Sequence, residues 1–480
     1  MTEINLLFQP VKNYCRNTIA TCSLGDTVLQ VAVAMRDQNI SSMVVCEGKI
    51  PVGILTDRDL RNKVVANGLD ATAISAADIM SAPLITVGED DFIFEALHLI
   101  SRSNIHRVCV VDKEDRLIGV ITDSDILRLQ AHSPQKLVRE IEEAQTINEL
   151  KERHKKIQSL VLHLVGTGVP TRDLVTMIAH LNDQLLLRLI TLLRAQQFSD
   201  LTERFAFIVL GSEGRREQTL TTDQDNAIIY ADDLTAKEVS RVKDFSHALI
   251  DALIDIGVPA CPGGIMAKND IWRRSQSEWS KTLGAWLITP TPENIMTGSM
   301  FFDLRTIYGD KSFEHDIKKW LAEYFSKEQA FLVHSAANAV RFKTPLGLFG
   351  QIKVARDGEH RGQFDVKKAG IFTITEGIKA LALEKGITEG GTCERIRALV
   401  KAGVFKQSMA DDLEASYNFL VFMRLRCQVE AIRAGNEPSN YITLFKLNHM
   451  EKGRLKLAFE EIKEFQEFLS VHFRLELLRR

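Results

Sequence analysis

Gly211-Ser212-Glu213-Gly214-Arg215-Arg216-Glu217, followed by Thr222-Asp223-Gln224-Asp225-Asn226-Ala227-Ile228-Ile229-Tyr230, decides how this chain is read. The apolar run Phe205 to Leu210 ahead of it predicts a buried strand, a Gly-Ser pair ends that strand, and Ala227 to Tyr230 predicts a second one. On a strand, residues i and i+2 point to the same side. A second strand that takes in Asp223 therefore puts Asp223 and Asp225 on one face and Gln224 on the other. Two carboxylates so placed can hold one or two Mg²⁺ ions, which favour a few carboxylates together with substrate phosphates. Gly211 and Ser212, at a strand-to-helix turn, offer backbone N–H groups and a hydroxyl to a phosphate. An isolated Asp-x-Asp is more often a solvated loop. The strand, the Gly-Ser turn, the spacing and the second apolar run together point to a catalytic site.

This arrangement resembles the nucleotidyltransferase superfamily of the polymerase-beta type. Its nearest branch is the one related to PII-protein uridylyltransferase and glutamine synthetase adenylyltransferase, where Gly-Ser-x-Gly-Arg-x-Glu and Thr-Asp-x-Asp occur together. The resemblance implies in-line attack on the α-phosphate of a nucleoside triphosphate, with pyrophosphate leaving. It assigns Asp223 and Asp225 to Mg²⁺, and it asks a neighbouring strand for a third acidic residue. Asp303, in the run Ser299-Met300-Phe301-Phe302-Asp303-Leu304-Arg305 read as a buried strand, is the candidate third metal ligand and the base or orienter for the attacking hydroxyl. The other reading of Asp303 is an ion pair with Arg305, which lies two residues on and faces the same way. Gly211 and Ser212 would cradle phosphates, with Arg215, Arg216 and Lys268 adding charge. The same branch carries an Asp-x-Lys-x-x-Gly stretch after the catalytic sheet; Asp365, Lys367 and Lys368 match it, with capping and a solvated face as the plain alternative. By this resemblance the acceptor is a protein hydroxyl, such as a tyrosine on a PII-like regulator. Gln224 departs from the family, where the residue between the carboxylates is commonly apolar, and would sit on the far side of the sheet or at its edge. An inactive domain that only senses adenine nucleotides is the alternative function, and nucleotide addition to RNA a third.

Toward the N-terminus the chain repeats itself. Gly53-Ile54-Leu55-Thr56-Asp57-Arg58-Asp59-Leu60 returns as Gly119-Val120-Ile121-Thr122-Asp123-Ser124-Asp125-Ile126, and Asn39-Ile40-Ser41-Ser42 as Asn104-Ile105-His106-Arg107. These units resemble a tandem pair of CBS domains over roughly residues 10–132. The resemblance implies an adenine nucleotide (AMP, ADP or ATP) in the cleft between them. Thr56 and Thr122 would touch phosphate, Asp59 and Asp125 ribose hydroxyls, and Ile40 and Ile105 the base, with Arg107 and His106 in reach of a phosphate. It also implies a homodimer through the CBS units. Thr-Asp-x-Asp before a helix is equally a good N-cap, which needs no ligand.

The whole chain bounds these readings. Its 480 residues suffice for about three domains. Sixty basic and 63 acidic residues give a formal charge of -3, so there is no electrostatic footprint for nucleic acid. Seven dispersed cysteines suggest neither a zinc knuckle nor a disulfide framework. No apolar window is long enough for a membrane span and the N-terminus lacks signal-peptide form, so a cytoplasmic protein is expected. The expected fold class is multidomain α/β and α+β: a CBS pair (1–135), a helical segment (136–200), a nucleotidyltransferase sheet (201–310) and a C-terminal helical domain (311–480). The segment from Pro134 to Phe198 is striped at helical spacing, with Gly166 to Pro170 as a break and Thr171 as the next cap. A helix is expected over Ala236–Ile256, ending at Gly257. Phe349 to Gly362 reads as an exposed loop. The isolated His315 is read as a surface residue, because the other histidines and aspartates of a phosphohydrolase are missing.

Overall fold

The computed structural model describes residues 10–17, 19–126, 134–165, 169–220, 223–347 and 350–479. Thr221, Thr222, Phe349, Gly166 and the last residues of the second repeat (127–132) thus lie outside the described residues. The chain forms two compact units, residues 1–136 and 137–480.

In the smaller unit each repeat builds the same three-stranded sheet. Strands β1 (Thr21–Ser23), β2 (Ser42–Glu47) and β3 (Ile50–Thr56) lie in that order, and β4 (Thr86–Gly88), β5 (Arg107–Val111) and β6 (Leu117–Thr122) copy them. In both, the first pairing is parallel and the second antiparallel. The helices Val28–Asp37 and Ile93–Ser103 supply the crossovers, and each is followed by an asparagine in the left-handed region, Asn39 (φ 51°) and Asn104 (φ 52°). Asparagine tolerates that conformation better than most residues. The repeat is therefore one of backbone as well as of sequence.

The larger unit is organised on a four-stranded sheet in the order β10-β7-β8-β9, formed by β7 (Phe205–Val209), β8 (Asn226–Tyr230), β9 (Arg273–Ser275) and β10 (Arg305–Gly309). All five residues of β7 are buried because both faces of the sheet are covered. Phe205, Phe207 and Val209 pack with the helices Thr171–Gln196 and Ala236–Ile256, while Ala206 and Ile208 join a core that reaches Phe459 and Phe465 of the helix His449–His472. That second core crosses the borders expected at residues 200 and 310, and it holds the helical segment, the sheet and the C-terminal helices in one unit. The helix Ala236–Ile256 has a Thr235/Glu238 capping box and ends on Gly257 (φ 111°).

Two local expectations fail. Ser299–Arg305 is not a strand: the helix Pro292–Phe301 runs into it, Phe302–Leu304 turn, and β10 begins only at Arg305. The Thr291 side chain accepts from Asn294 N–H and Pro292 opens the first turn, start signals that outweigh a short apolar run of ambiguous period. The helix after the break takes Pro170 as its N-cap residue, with Thr171 already inside it.

Candidate functional site

Strand β8 begins at Asn226, but the extended backbone reaches back further. The carbonyl of Asp225 accepts from Leu210 N–H at 2.8 Å, and Gln224 bridges Ala260 in parallel fashion. Gln224 is 2% exposed; its amide donates to Val258 O (3.4 Å) and accepts from Asn226 Nδ2 (3.3 Å). The polar residue between the aspartates is thus satisfied inside the protein, on the side opposite them.

Asp223 is exposed, whereas Asp225 is partly buried. The Oδ1 atom of Asp225 is buried and has no hydrogen-bond partner among the described residues. Burial pushes this carboxyl up to about 6; a Cys261 thiol hydrogen bond opposes the rise, the like charge of Asp223 adds to it, and Lys367 and Arg215 oppose it. A buried carboxylate oxygen without a partner is costly unless something occupies it. Gly211 makes the approach possible. It stands at φ 54°, and a Cβ there would lie 3.3 Å from Asp225 Oδ2. Among the described residues no group of three or more His, Cys, Asp or Glu is placed to hold a metal ion. The two aspartates remain, a number that suits a cation completed by substrate phosphates.

Asp303 does not join them. Its carboxylate is 0% exposed and meets three cations: Lys379 Nζ at 2.7 Å, Arg395 Nη1 at 2.6 Å and Arg215 Nη1. Burial alone would raise its carboxyl, but Lys379, Arg215 and Arg395 hold it well below the usual carboxylate range. The expected ion pair with Arg305 is also absent. Arg305 forms a bidentate pair with Asp183 (2.9 Å each) and donates to the carbonyls of Glu213 and Gly214. It faces away because Asp303 lies in a turn and not on a strand, so the i, i+2 rule does not apply. The Asp303 backbone itself crowds Gly214, where a Cβ would come within 1.8 Å of its carbonyl oxygen.

Arg215 is likewise committed inside the protein, to Asp303 and to Glu217 Oε2 (2.7 Å). Glu217 in turn accepts from Thr392 N–H (2.5 Å) and Thr392 Oγ1 (3.1 Å), capping the helix Thr392–Lys401. The charged residues of the motif therefore fasten the C-terminal helices to the Gly211–Gly214 turn, and Arg215 is held there by two buried carboxylates, a structural tie the sequence reading did not foresee. Lys268 is paired with Asp251 (3.2 Å), beside Lys243 and His247 and not at the aspartate pair. Arg216 lines a separate cavity with Gly214 and Glu217. Ser212 is partly buried in the one-turn helix Gly211–Gly214, next to the aspartate face.

Lys367 is the expected substrate-binding cation that the fold does bring to the aspartates. Its side chain is solvent-accessible yet ringed by protein, so desolvation lowers its pKa first and Arg424 next, while Asp225 and Asp223 oppose them. Asp365 accepts from Lys368 N–H (3.1 Å) as a local cap, and Lys368 Nζ stays 3.8 Å from it. Two residues escaped the sequence reading. Arg424, on the helix Gln407–Arg433, hydrogen-bonds Asn440 (2.7 Å) within electrostatic reach of Asp223 and Lys367. Glu213 is buried, and burial, then Asp183 and Asp225, push its carboxyl up to about 8. Arg424 lies some two hundred residues from the motif, and no local spacing links them.

In the CBS unit the capping alternative is realised, between Thr56 and Asp59 and between Thr122 and Asp125. Thr56 Oγ1 donates to Asp59 Oδ2 (2.6 Å) and accepts from Asp59 N–H; Thr122 and Asp125 repeat this at 2.7 Å and 3.0 Å. The second oxygens meet Ser81 and Lys63 in one repeat and Arg16 in the other. Arg107 reaches across to Ser41 and to Ser42, its own counterpart in the first repeat. His106 pairs with Asp123 (2.8 Å), and Ile40 and Ile105 are each half-buried against the core of their own repeat.

Comparison with known proteins matches four stretches of the chain. CBS domains match residues 11–66 and 76–132, "Putative nucleotidyltransferase DUF294" matches 155–293, and "Putative nucleotidyltransferase substrate binding domain" matches 329–473. Uncharacterized protein MK0525 of Methanopyrus kandleri is 40% identical over 134 residues, 28% of this chain and 66% of that protein. Hypoxic response protein 1 of Mycobacterium tuberculosis is 32% identical over 104 residues, 22% of this chain and 72% of that protein. CBS domain protein PAE2072 from Pyrobaculum aerophilum, solved in complex with AMP, is 26% identical, with 25% of this chain and 98% of that one covered and a TM-score of 0.23. The first two curated relatives are spanned over only 66% and 56% of their own length. Among the described residues no helix is long and apolar enough to cross a membrane. The chain belongs to the tandem CBS-domain proteins that carry a DUF294 nucleotidyltransferase-family domain with its C-terminal substrate-binding domain.

Proposed function

We propose that this protein transfers a nucleoside monophosphate from a nucleoside triphosphate to a hydroxyl of an acceptor protein, under the control of an adenine nucleotide at its CBS pair. The observation that carries the transferase reading is the partnerless, buried Oδ1 of Asp225 beside the Cβ-free Gly211. Asp223 and Asp225 would hold a divalent cation of the Mg²⁺ type, whose chemistry is to neutralise the triphosphate. Lys367 and Arg424 face that pair from the substrate-binding domain and add positive charge where negative charge gathers on the phosphates. Ser212 and the Gly211 turn lie where phosphate oxygens would reach. Asp303 is a buried anchor in this scheme, and the metal pair is Asp223 with Asp225.

The acceptor we favour is a PII-like regulator, with uridylyl transfer as the first reaction to try. The protein acts in the cytoplasm as a homodimer through its CBS units. Thr56, Asp59, Thr122, Asp125 and Arg107 line the nucleotide site between the repeats.

The test incubates pure protein with Mg²⁺ and each α-labelled nucleoside triphosphate, with cell extract as the acceptor pool. Label should appear on a protein and vanish with Asp223→Asn, Asp225→Asn or chelator. Absence of label with every triphosphate and extract would refute the transferase reading, and label on RNA would replace the acceptor.

A further inference from the structure

A cavity of about 440 Å³ lies in the larger unit, and neither Asp223, Asp225 nor Lys367 lines it. Its walls come from the first turns of the helix Thr171–Gln196, from Gly214–Glu217 and from the segment 388–395. Its size is that of a small-molecule site. The charged residues on these walls are matched within the protein, one of them only at the limit of an ion pair. Glu314 and Glu389 hold Lys318, and Glu394 takes Arg172 (3.1 Å) and the N–H of Gly391. Asp303, Arg215, Arg395, Glu217 and Arg305 are bound as described above.

The loosely held one is Arg216. Its Nε stands 4.0 Å from Asp183 Oδ2, beyond hydrogen-bond length, and its side chain is 63% exposed. Its backbone is as unusual as its charge. Arg216 has φ 58° at the end of the one-turn helix, where its own N–H bonds back to Glu213 O and the next to Ser212 O. Glycine takes that left-handed position without steric cost and is the common residue there. The chain thus keeps an arginine where the backbone disfavours one, and its loosely paired side chain belongs to the wall of a cavity whose other charges cancel. Backbone strain of this kind gathers at functional sites.

We propose that this cavity binds a small molecule through a carboxylate or phosphate group held by Arg216, at a site separate from the aspartate face. A guanidinium fork fits either oxyanion, and Arg172, half-exposed and also lining the cavity, keeps further N–H donors for it. The occupant would rest on Arg215 and Arg395 of the Asp303 cluster, the layer that fastens the C-terminal helices to the motif turn.

The test is isothermal titration of the full chain with inorganic phosphate and, separately, with citrate. At least one should bind, phosphate alone or citrate alone naming the class. Arg216→Gly should weaken that binding by about tenfold or more, while the unliganded melting temperature holds or rises because the left-handed backbone is relieved. Asp225→Asn should leave the binding unchanged, whatever the outcome of the transfer assay. Binding of neither probe, or equal binding by Arg216→Gly, overturns the proposal. So does loss of binding in Asp225→Asn or displacement by a non-hydrolysable triphosphate with Mg²⁺, since the anion would then belong to the transferase site.

Discussion

Replacing Asp303 with asparagine separates an anchor from a metal ligand. The substitution keeps the shape and removes the charge that Lys379, Arg395 and Arg215 share, whose side chains are only 3%, 4% and 11% exposed. Taking away one member of a buried ion cluster leaves the others uncompensated and costs about 3–5 kcal/mol. The three partners keep some relief: Lys379 still has Glu376 (3.0 Å) and the Ser299 carbonyl (2.7 Å), and Arg215 still has Glu217. The lower part of that range is therefore expected, about 3 kcal/mol. In a unit of this size that lowers the melting temperature by roughly 4 °C. The sign with pH follows from the depressed carboxyl. The stabilisation is fully present above the ordinary aspartate value and fades as pH falls through the lower native one, so the gap between wild type and variant should narrow toward strong acid. The assay is fluorimetric melting of both proteins from pH 8 down to pH 3, without metal. A metal ligand would behave in the opposite way, since removing a functional carboxylate commonly leaves the fold as stable or more so. A variant that melts within about 1 °C of wild type yet loses Mg²⁺-dependent transfer would refute the anchor.

Other expectations follow from the same geometry. Asp225→Asn should abolish transfer and raise the metal-free melting temperature, because it removes a buried charge with a partnerless oxygen; a drop in stability would argue against the ligand role. Glu213 keeps its proton up to about 8, whereas the unfolded chain releases it near the ordinary glutamate value, so the native state binds more protons between these values and stability falls as pH rises through that window, by up to about 1.4 kcal/mol per unit. Glu213→Gln should therefore match wild type in melting near pH 5 and exceed it at pH 8; parallel melting curves across pH would sink this. Gly214→Ala forces a Cβ to within 1.8 Å of the Asp303 carbonyl, a backbone contact that cannot yield locally, and should cost several °C of melting temperature together with any transfer activity. Thr56→Ala removes one capping box of the CBS unit and should cost about 1 kcal/mol in chemical denaturation while weakening AMP binding by the same chain; unchanged AMP affinity would move the nucleotide away from Thr56.

The sequence by itself was enough for whatever is written in local spacing. The doubled Gly-apolar-apolar-Thr signature foretold two copies of one small sheet, and the structure repeats even the left-handed asparagines. The apolar runs around the Gly-Ser turn foretold β7 and β8, because a strand buried on both sides admits little else. Gln224, expected to point away from the two aspartates, bonds Val258 and Asn226 inside the protein. Tertiary structure decided the partners. Asp303 looked like a third ligand while its strand was assumed; the helix start at Thr291 and Pro292 turned it toward Lys379 and Arg395, cations 76 and 92 residues away in sequence. Arg215 looked free for phosphate until Asp303 and Glu217 claimed it, and Arg424 reached the aspartates with no motif to announce it. Periodicity is a property of neighbouring residues and survives in one dimension. The state of a charge depends on what packs against it from distant segments, and only the folded chain brings those segments together.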